Sequence, residues 1–137
     1  MKVLIDTNIL IYYFSKNPMF YDDARKIMFL CTEKKIDCCI AAHSVMNTFY
    51  ILRKEFTTEE RKSMLTDICN IMTVVGIDKE KIIDSLQNDY FSDVEDCLQT
   101  ECAKEFSADC IITQNIKHFK NSEVPAILPN DFLKKYA

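Results

Sequence analysis

Short apolar runs recur along the chain: VLI at 3–5, CCIA at 38–41, TVV at 73–75, CIIT at 110–113 and AIL at 126–128. Continuous apolar blocks of this length, bounded by polar residues, predict strands buried on both faces of a sheet. The longer segments between them carry apolar residues at helical spacing and predict helices near 8–14, 21–34, 43–55, 58–71, 79–87, 93–106 and 130–136. In 57–72, for example, Met64, Leu65, Ile68, Ile71 and Met72 fall on one helix face. Behind the strand at 38–41, Val45, Phe49 and Leu52 give the next helix a core side. Strand and helix alternate throughout, which predicts an α/β fold on a parallel sheet.

The ends of the strands are unusual. VLI stops abruptly in Asp6, Thr7 and Asn8, and CIIT stops in Thr113, Gln114 and Asn115. In open α/β sheets ligands bind just beyond the carboxyl ends of the strands, so two such polar ends suggest one shared crevice. The alternative for Asp6, Thr7 or Asn115 is a helix N-cap, a position these residue types favour. In FSDVEDCLQTECAKEF (91–106), Ser92 and Glu95 have the spacing of a capping box, which puts Asp93, Val94 and Glu95 in the first turn. Val94, Leu98 and Cys102 then form the buried stripe, with Asp93 and Asp96 on the flank away from it. Asp93 and Glu95 are explained by the helix dipole and the cap, whereas Asp96 lies deeper and is a site candidate. Asn47 is a poor helix former inside a helix, and from an early turn it can reach the same sheet edge.

Composition narrows the chemistry. With 137 residues, 48% of them hydrophobic, the chain is expected to form one domain spanning 1–137. The only glycine is Gly76, so neither a Walker loop nor a Gly-x-Gly-x-x-Gly turn can be built. The net charge of −4 argues against bulk attraction to nucleic acid or membrane. Seven cysteines without paired Cys-x-x-Cys spacing read as buried thiols of a reducing compartment rather than a disulfide framework or a zinc site. No apolar stretch is long enough for a membrane span and Asp6 interrupts any signal-peptide layout, so a soluble cytoplasmic protein is expected. Oxygen donors from Asp6, Asp96, Asn47 and Asn115 at one edge would suit Mg²⁺ or Mn²⁺ and point to phosphodiester hydrolysis.

These residues resemble the PIN domain, a small α/β nuclease family that includes VapC-type toxins, and the likeness covers essentially the whole chain. VLIDTNILI is similar to the opening family signature, which implies that Asp6 is the first metal-binding carboxylate and Asn8 its supporting amide. DCLQTECA matches the family's later run and places the next carboxylate at Asp96. Two positions depart from the pattern: Asn47 in SVMNTFYIL and Asn115 in IITQNIKHF stand where the family usually has acids. Chains with asparagine at both places resemble a bacterial subgroup. Each swap replaces a charged oxygen with a neutral one, which weakens divalent-ion binding, and Asp93 or Glu95 can restore the charge.

The resemblance implies a three-layer α/β/α fold with a parallel four- to five-stranded sheet in the order 3-2-1-4-5. It also implies a Mg²⁺- or Mn²⁺-dependent endoribonuclease cutting single-stranded RNA, the toxin of a type II toxin–antitoxin pair, with Thr113 and Asn8 supporting the acids. RNA contacts are expected from Lys117, Lys120 and Arg53, with stacking on Tyr12 or Tyr13. An antitoxin protein is the implied partner, and the apolar residues Ile9, Tyr12, Tyr13 and Phe14 could serve a homodimer interface as easily as the core. The alternative is a PIN-like module that binds RNA or protein without cleavage. A phosphohydrolase using Asp6 as nucleophile is disfavoured, because such enzymes carry a second Asp where this chain has Asn8.

Overall fold

The structure is a computed structural model and describes residues 1–91 and 93–136. Among these, β1 (Lys2–Ile5) leads to α1 (Thr7–Ser15) and α2 (Tyr21–Thr32). β2 (Asp37–Ala41) leads to α3 (Ala42–Ile51), a 3-10 turn (Leu52–Lys54) and α4 (Thr58–Ile71). β3 (Thr73–Val75) is followed by α5 (Lys79–Gln87) and α6 (Val94–Glu105), β4 (Cys110–Ile112) by a 3-10 turn (Ile116–Phe119), and β5 (Ala126–Ile127) by α7 (Pro129–Tyr136).

All pairings are parallel and the strand order is β3-β2-β1-β4-β5, as the resemblance implied. The chain works outward from β1 to β3, then crosses back to place β4 on the other side of β1. That reversal is the switch point at which a crevice opens beyond the strand ends. Ile5 is in register with Ile112, and the Asp6 amide donates to the Ile112 carbonyl at 3.1 Å. The next residues, Asp6 and Thr113, therefore emerge side by side.

Alternation along each strand divides the core into two layers. Val3, Ile5, Cys38, Ile40, Cys110 and Ile112 pack under residues of α1, α2, α4 and α7, including Leu10, Ile27, Ile68 and Phe132. Leu4, Cys39, Ala41 and Ile111 face the other way, onto Cys102 and Ala103 of α6. This is the doubly covered sheet that the continuous apolar runs require. α5 is joined to α6 through Lys81, whose ammonium donates to Glu105 at 2.7 Å. Tyr12, Tyr13 and Phe14 lie half-buried against the first core layer, where Tyr12 pairs with Phe20 and Tyr13 stacks on Tyr21, so these aromatics fasten α1 to α2.

Three details correct the sequence reading. The expected cap at Ser92 lies outside the described residues; α6 starts at Val94, and Asp93 is its N-cap, accepting from the Glu95 amide at 2.8 Å. The expected stripe of Val94, Leu98 and Cys102 is also displaced: Val94 is exposed and Leu98 half-buried, whereas Cys97, Gln99, Thr100, Cys102 and Ala103 are buried. The cause is that α6 turns a mixed polar and small-residue face to the sheet, a face that apolarity alone cannot identify. Asp96, Gln99, Thr100 and Ala103 follow at i, i+3, i+4 and i+7, so Asp96 begins the inward face instead of sitting on its far flank. The helical segment expected at 43–55 gives way to a 3-10 turn after Ile51.

Candidate active site

Asp6 fills the end of β1 and is 6% exposed. Of the roles its sequence context allowed, the helix cap is observed. As N-cap of α1 it accepts from the Thr7 amide through Oδ1 at 2.8 Å, and it is also held from three other directions. Thr113 Oγ1 donates to Oδ2 at 2.7 Å, Asn8 Nδ2 donates to Oδ2 at 3.2 Å, and Gln99 Nε2 donates to Oδ1 at 3.1 Å. Burial raises the proton affinity of this carboxyl, and the donors from Thr113 and the Thr7 backbone work against that rise by favouring the anion. Asn8 and Thr113 thus both donate to the same oxygen of Asp6. Asn8 Nδ2 also reaches Thr113 Oγ1 at 3.2 Å, and Asn8 Oδ1 accepts from the Gln114 amide at 3.3 Å, so the two strand ends are sewn together.

Beyond Asp6 lies a crevice of about 230 Å³. α6 supplies Asp93, Glu95, Asp96 and Gln99 to its wall, α3 supplies Asn47, and Asn115 and His118 come from the segment after β4. The structure therefore brings Asp6, Asp96, Asn47, Asn115, Asn8, Asp93 and Glu95 to one place. Asn47 Nδ2 donates to Glu95 Oε1, so an amide of α3 holds an acid of α6. Asn115 is exposed at the rim and its backbone amide donates to Thr113 Oγ1 at 2.9 Å.

The crevice is acidic and electrostatically frustrated. Asp96 has its carboxyl pushed up to about 6, first by burial and then by the negative charges of Asp93 and Asp6, with His118 opposing the rise. Glu95 is raised by burial and by the same two acids. Carboxylates crowded in this way favour whatever positive charge reaches them. Among the described residues of the wall, His118 is the one basic side chain, and its Nδ1 lies 3.1 Å from Asp96 Oδ2. His43 Nε2 is 3.9 Å from Glu95 Oε1, but burial lowers its proton affinity and both ring nitrogens lack hydrogen-bond partners.

Donor chemistry at the crevice suits a hard divalent cation, since the convergent groups are carboxylate and amide oxygens. Among the described residues no three His, Cys, Asp or Glu side chains form a ready-made cage. Mg²⁺ is usually held through one or two carboxylates and keeps much of its water. Asp6 and Asp96 would hold it, with Glu95 and Asp93 contributing field.

Lys117, Lys120 and Arg53 are exposed and do not line the crevice. Arg53 lies over the Tyr50 ring at 3.8 Å and donates to the Tyr50 carbonyl. Sequence reasoning overlooked Gln99, Ser44 and the imidazoles of His43 and His118. A signal for Gln99 was available: it lies three residues after Asp96 and three before the buried Cys102, and so on the inward face.

Comparison with known proteins bears on this site. A sequence model of the PIN domain matches residues 2–117. The chain is similar in fold to VapBC2 from Rickettsia felis bound to a DNA fragment from its promoter (20% identity, 93% of this chain and 98% of that chain, TM-score 0.67). It is similarly related to a toxin–antitoxin complex from Klebsiella pneumoniae (20% identity, 93% and 97%, TM-score 0.69). FitAB bound to an IR36 DNA fragment also shares the fold (14% identity, 93% and 94%, TM-score 0.67). No curated protein matches the chain in sequence.

Proposed function

The chain belongs to the PIN domain family, and from that premise we propose that it is a Mg²⁺- or Mn²⁺-dependent endoribonuclease acting on single-stranded RNA, the toxin of a type II toxin–antitoxin pair. The observation that carries this reading is the meeting of Asp6 and Asp96 at the switch point, walled by further acids with His118 as the counter-charge. Such a wall repels a phosphodiester on its own, so the acids make sense as holders of a cation that draws the phosphate in.

When bound, the ion supplies a lowered water pKa and neutralises charge on the phosphoryl oxygens. The residues of the chain do the rest. Thr113, Asn8 and the Thr7 amide donate to Asp6 and favour its anion against the burial that raises its proton affinity. Asn47 holds Glu95 at the opposite wall, and Asn115 at the rim offers a neutral oxygen for orienting water or the scissile strand. Lys117, Lys120 and Arg53, outside the crevice, would track the RNA backbone beyond the cut. Relatives of known structure are toxin–antitoxin complexes, which supports a small antitoxin as the partner, and no described helix is long and apolar enough to cross a membrane.

The asparagines at 47 and 115 favour a second reading, a module that binds RNA without cutting it, because they remove ligand charge. Incubation of the purified chain with labelled single-stranded RNA in Mg²⁺, Mn²⁺ or chelator separates the two. The nuclease reading expects cleavage only with an ion present. Retained RNA that stays intact in both ions supports the binding module.

A further inference from the structure

Gln99 is 2% exposed, yet its side chain reaches three separate pieces of the crevice floor. Its Nε2 lies 3.1 Å from Asp6 Oδ1, 3.2 Å from Thr7 Oγ1 and 2.6 Å from Ser44 Oγ. Its Oε1 is buried without a partner among the described residues. The amide orientation follows from Asp6: turned the other way, Gln99 would set a carbonyl oxygen against a carboxylate. A buried amide with one orphaned oxygen is not the choice that stability alone would favour, since an apolar side chain of equal length leaves no such group.

We propose that Gln99 is a positioning residue that locks the Asp6 carboxylate and sets its relation to Asp96 for cation binding. This inference rests on the reading of the crevice as a cation site. Asp6 is gripped at Oδ2 by Thr113 from the β4 end and by Asn8, and among the described residues Gln99 is the only side chain that grips Oδ1. Without it that oxygen keeps the Thr7 amide alone, and the carboxylate loses its hydrogen bond to α6. Gln99 also stands one turn after Asp96 on the same inward face of α6, so its hold on Asp6 ties the helix carrying one carboxylate to the strand carrying the other. Ser44 Oγ, which accepts from both Gln99 and Thr7, anchors the same amide to α3. Groups that orient ligands from behind in this way typically alter metal affinity by roughly 10- to 100-fold when removed.

The test is Mn²⁺ affinity, read by calorimetry and by the rise in melting temperature, for the wild type, Gln99→Met and Ser44→Ala. Methionine keeps the length and volume of glutamine and removes the donor, so a purely structural role would leave the affinity unchanged. The expected result is roughly a 10- to 100-fold weaker Mn²⁺ affinity in Gln99→Met with native circular dichroism, and a smaller loss in Ser44→Ala. Wild-type binding with unchanged affinity in Gln99→Met overturns the role of Gln99 while leaving the cation site intact. If Gln99→Met does not fold, Ser44→Ala decides, and unchanged affinity there overturns the proposal. Absence of Mn²⁺ binding in the wild type overturns both this inference and the cation site beneath it.

Discussion

Replacing Asp96 with asparagine should make the ion-free protein more stable at neutral pH while abolishing its response to divalent cations. In the folded chain the Asp96 carboxyl is pushed from 3.8 to about 6, by burial and by the charges of Asp93 and Asp6. At roughly 1.36 kcal/mol per pH unit, ionising Asp96 above pH 6 opposes folding by at most ~3 kcal/mol. Its side chain retains 15% of its exposure, so solvent screens part of that. Asparagine also loses an acid from the first turn of α6, worth about 0.3–1 kcal/mol. The net gain is therefore about 1–2 kcal/mol, or roughly 3–7 °C in melting temperature for a chain of this length.

The sign of the pH dependence follows from the same shift. A carboxyl whose folded pKa is raised contributes most stability below the unfolded value of 3.8, and that contribution is lost as pH rises through about 6. The advantage of Asp96→Asn should accordingly be full at pH 7.5 and shrink toward pH 4. Thermal melts in chelator across that range, repeated with Mn²⁺, measure both effects. A variant that melts at or below wild type at pH 7.5 in chelator would refute the account of a frustrated acid cluster.

Asp6→Asn also removes a carboxyl whose proton affinity burial raises, but two of the four donors aimed at Asp6 then meet an amide NH₂ at a cost of about 1–3 kcal/mol; chelator-treated Asp6→Asn should therefore be less stable than Asp96→Asn in urea denaturation. Thr113→Val keeps the shape but removes the 2.7 Å donor to Asp6, and should raise the Asp6 carboxyl further, read by carboxyl NMR titration. His118→Ala removes the one group that opposes the rise at Asp96, so the Asp96 midpoint should move above about 6 in the same NMR experiment. For wild type, Mn²⁺ at about 100 times its dissociation constant should add about 2.7 kcal/mol to stability, read from the melting temperature.

β1, β2 and β4 were legible because each is a compact apolar run with polar ends, a pattern that burial on both faces imposes, whereas the edge strands β3, with Thr73 and Val74 exposed, and β5, half-buried, follow the apolar run without the double burial. α4 and α5 fall within the residues that periodicity predicts, since Thr57 and Asp78 supply strong N-caps. α6 was harder. Its inward face carries Asp96, Gln99, Thr100 and small residues, so hydrophobic spacing selected Val94 and Leu98 instead. For the same reason Gln99 escaped notice: a buried glutamine earns its place through partners on β1 and α3, which only the tertiary fold reveals. Asp6 and Asp96 were readable because both stand at element ends, where carboxylates have local reasons to be noticed. His118 was not, because its relation to Asp96 depends on the 3-10 turn after β4.

The central claim is that Asp6 and Asp96 together make this crevice a cation-dependent nuclease. Single-turnover cleavage of a labelled single-stranded RNA tests it most directly, with wild type, Asp6→Asn and Asp96→Asn purified in parallel and assayed in saturating Mn²⁺ and in chelator. The account predicts cleavage by wild type in Mn²⁺ alone, and its loss in both variants even though Asp96→Asn is the more stable protein. Equal cleavage by wild type and either variant, or cleavage that persists in chelator, would contradict it.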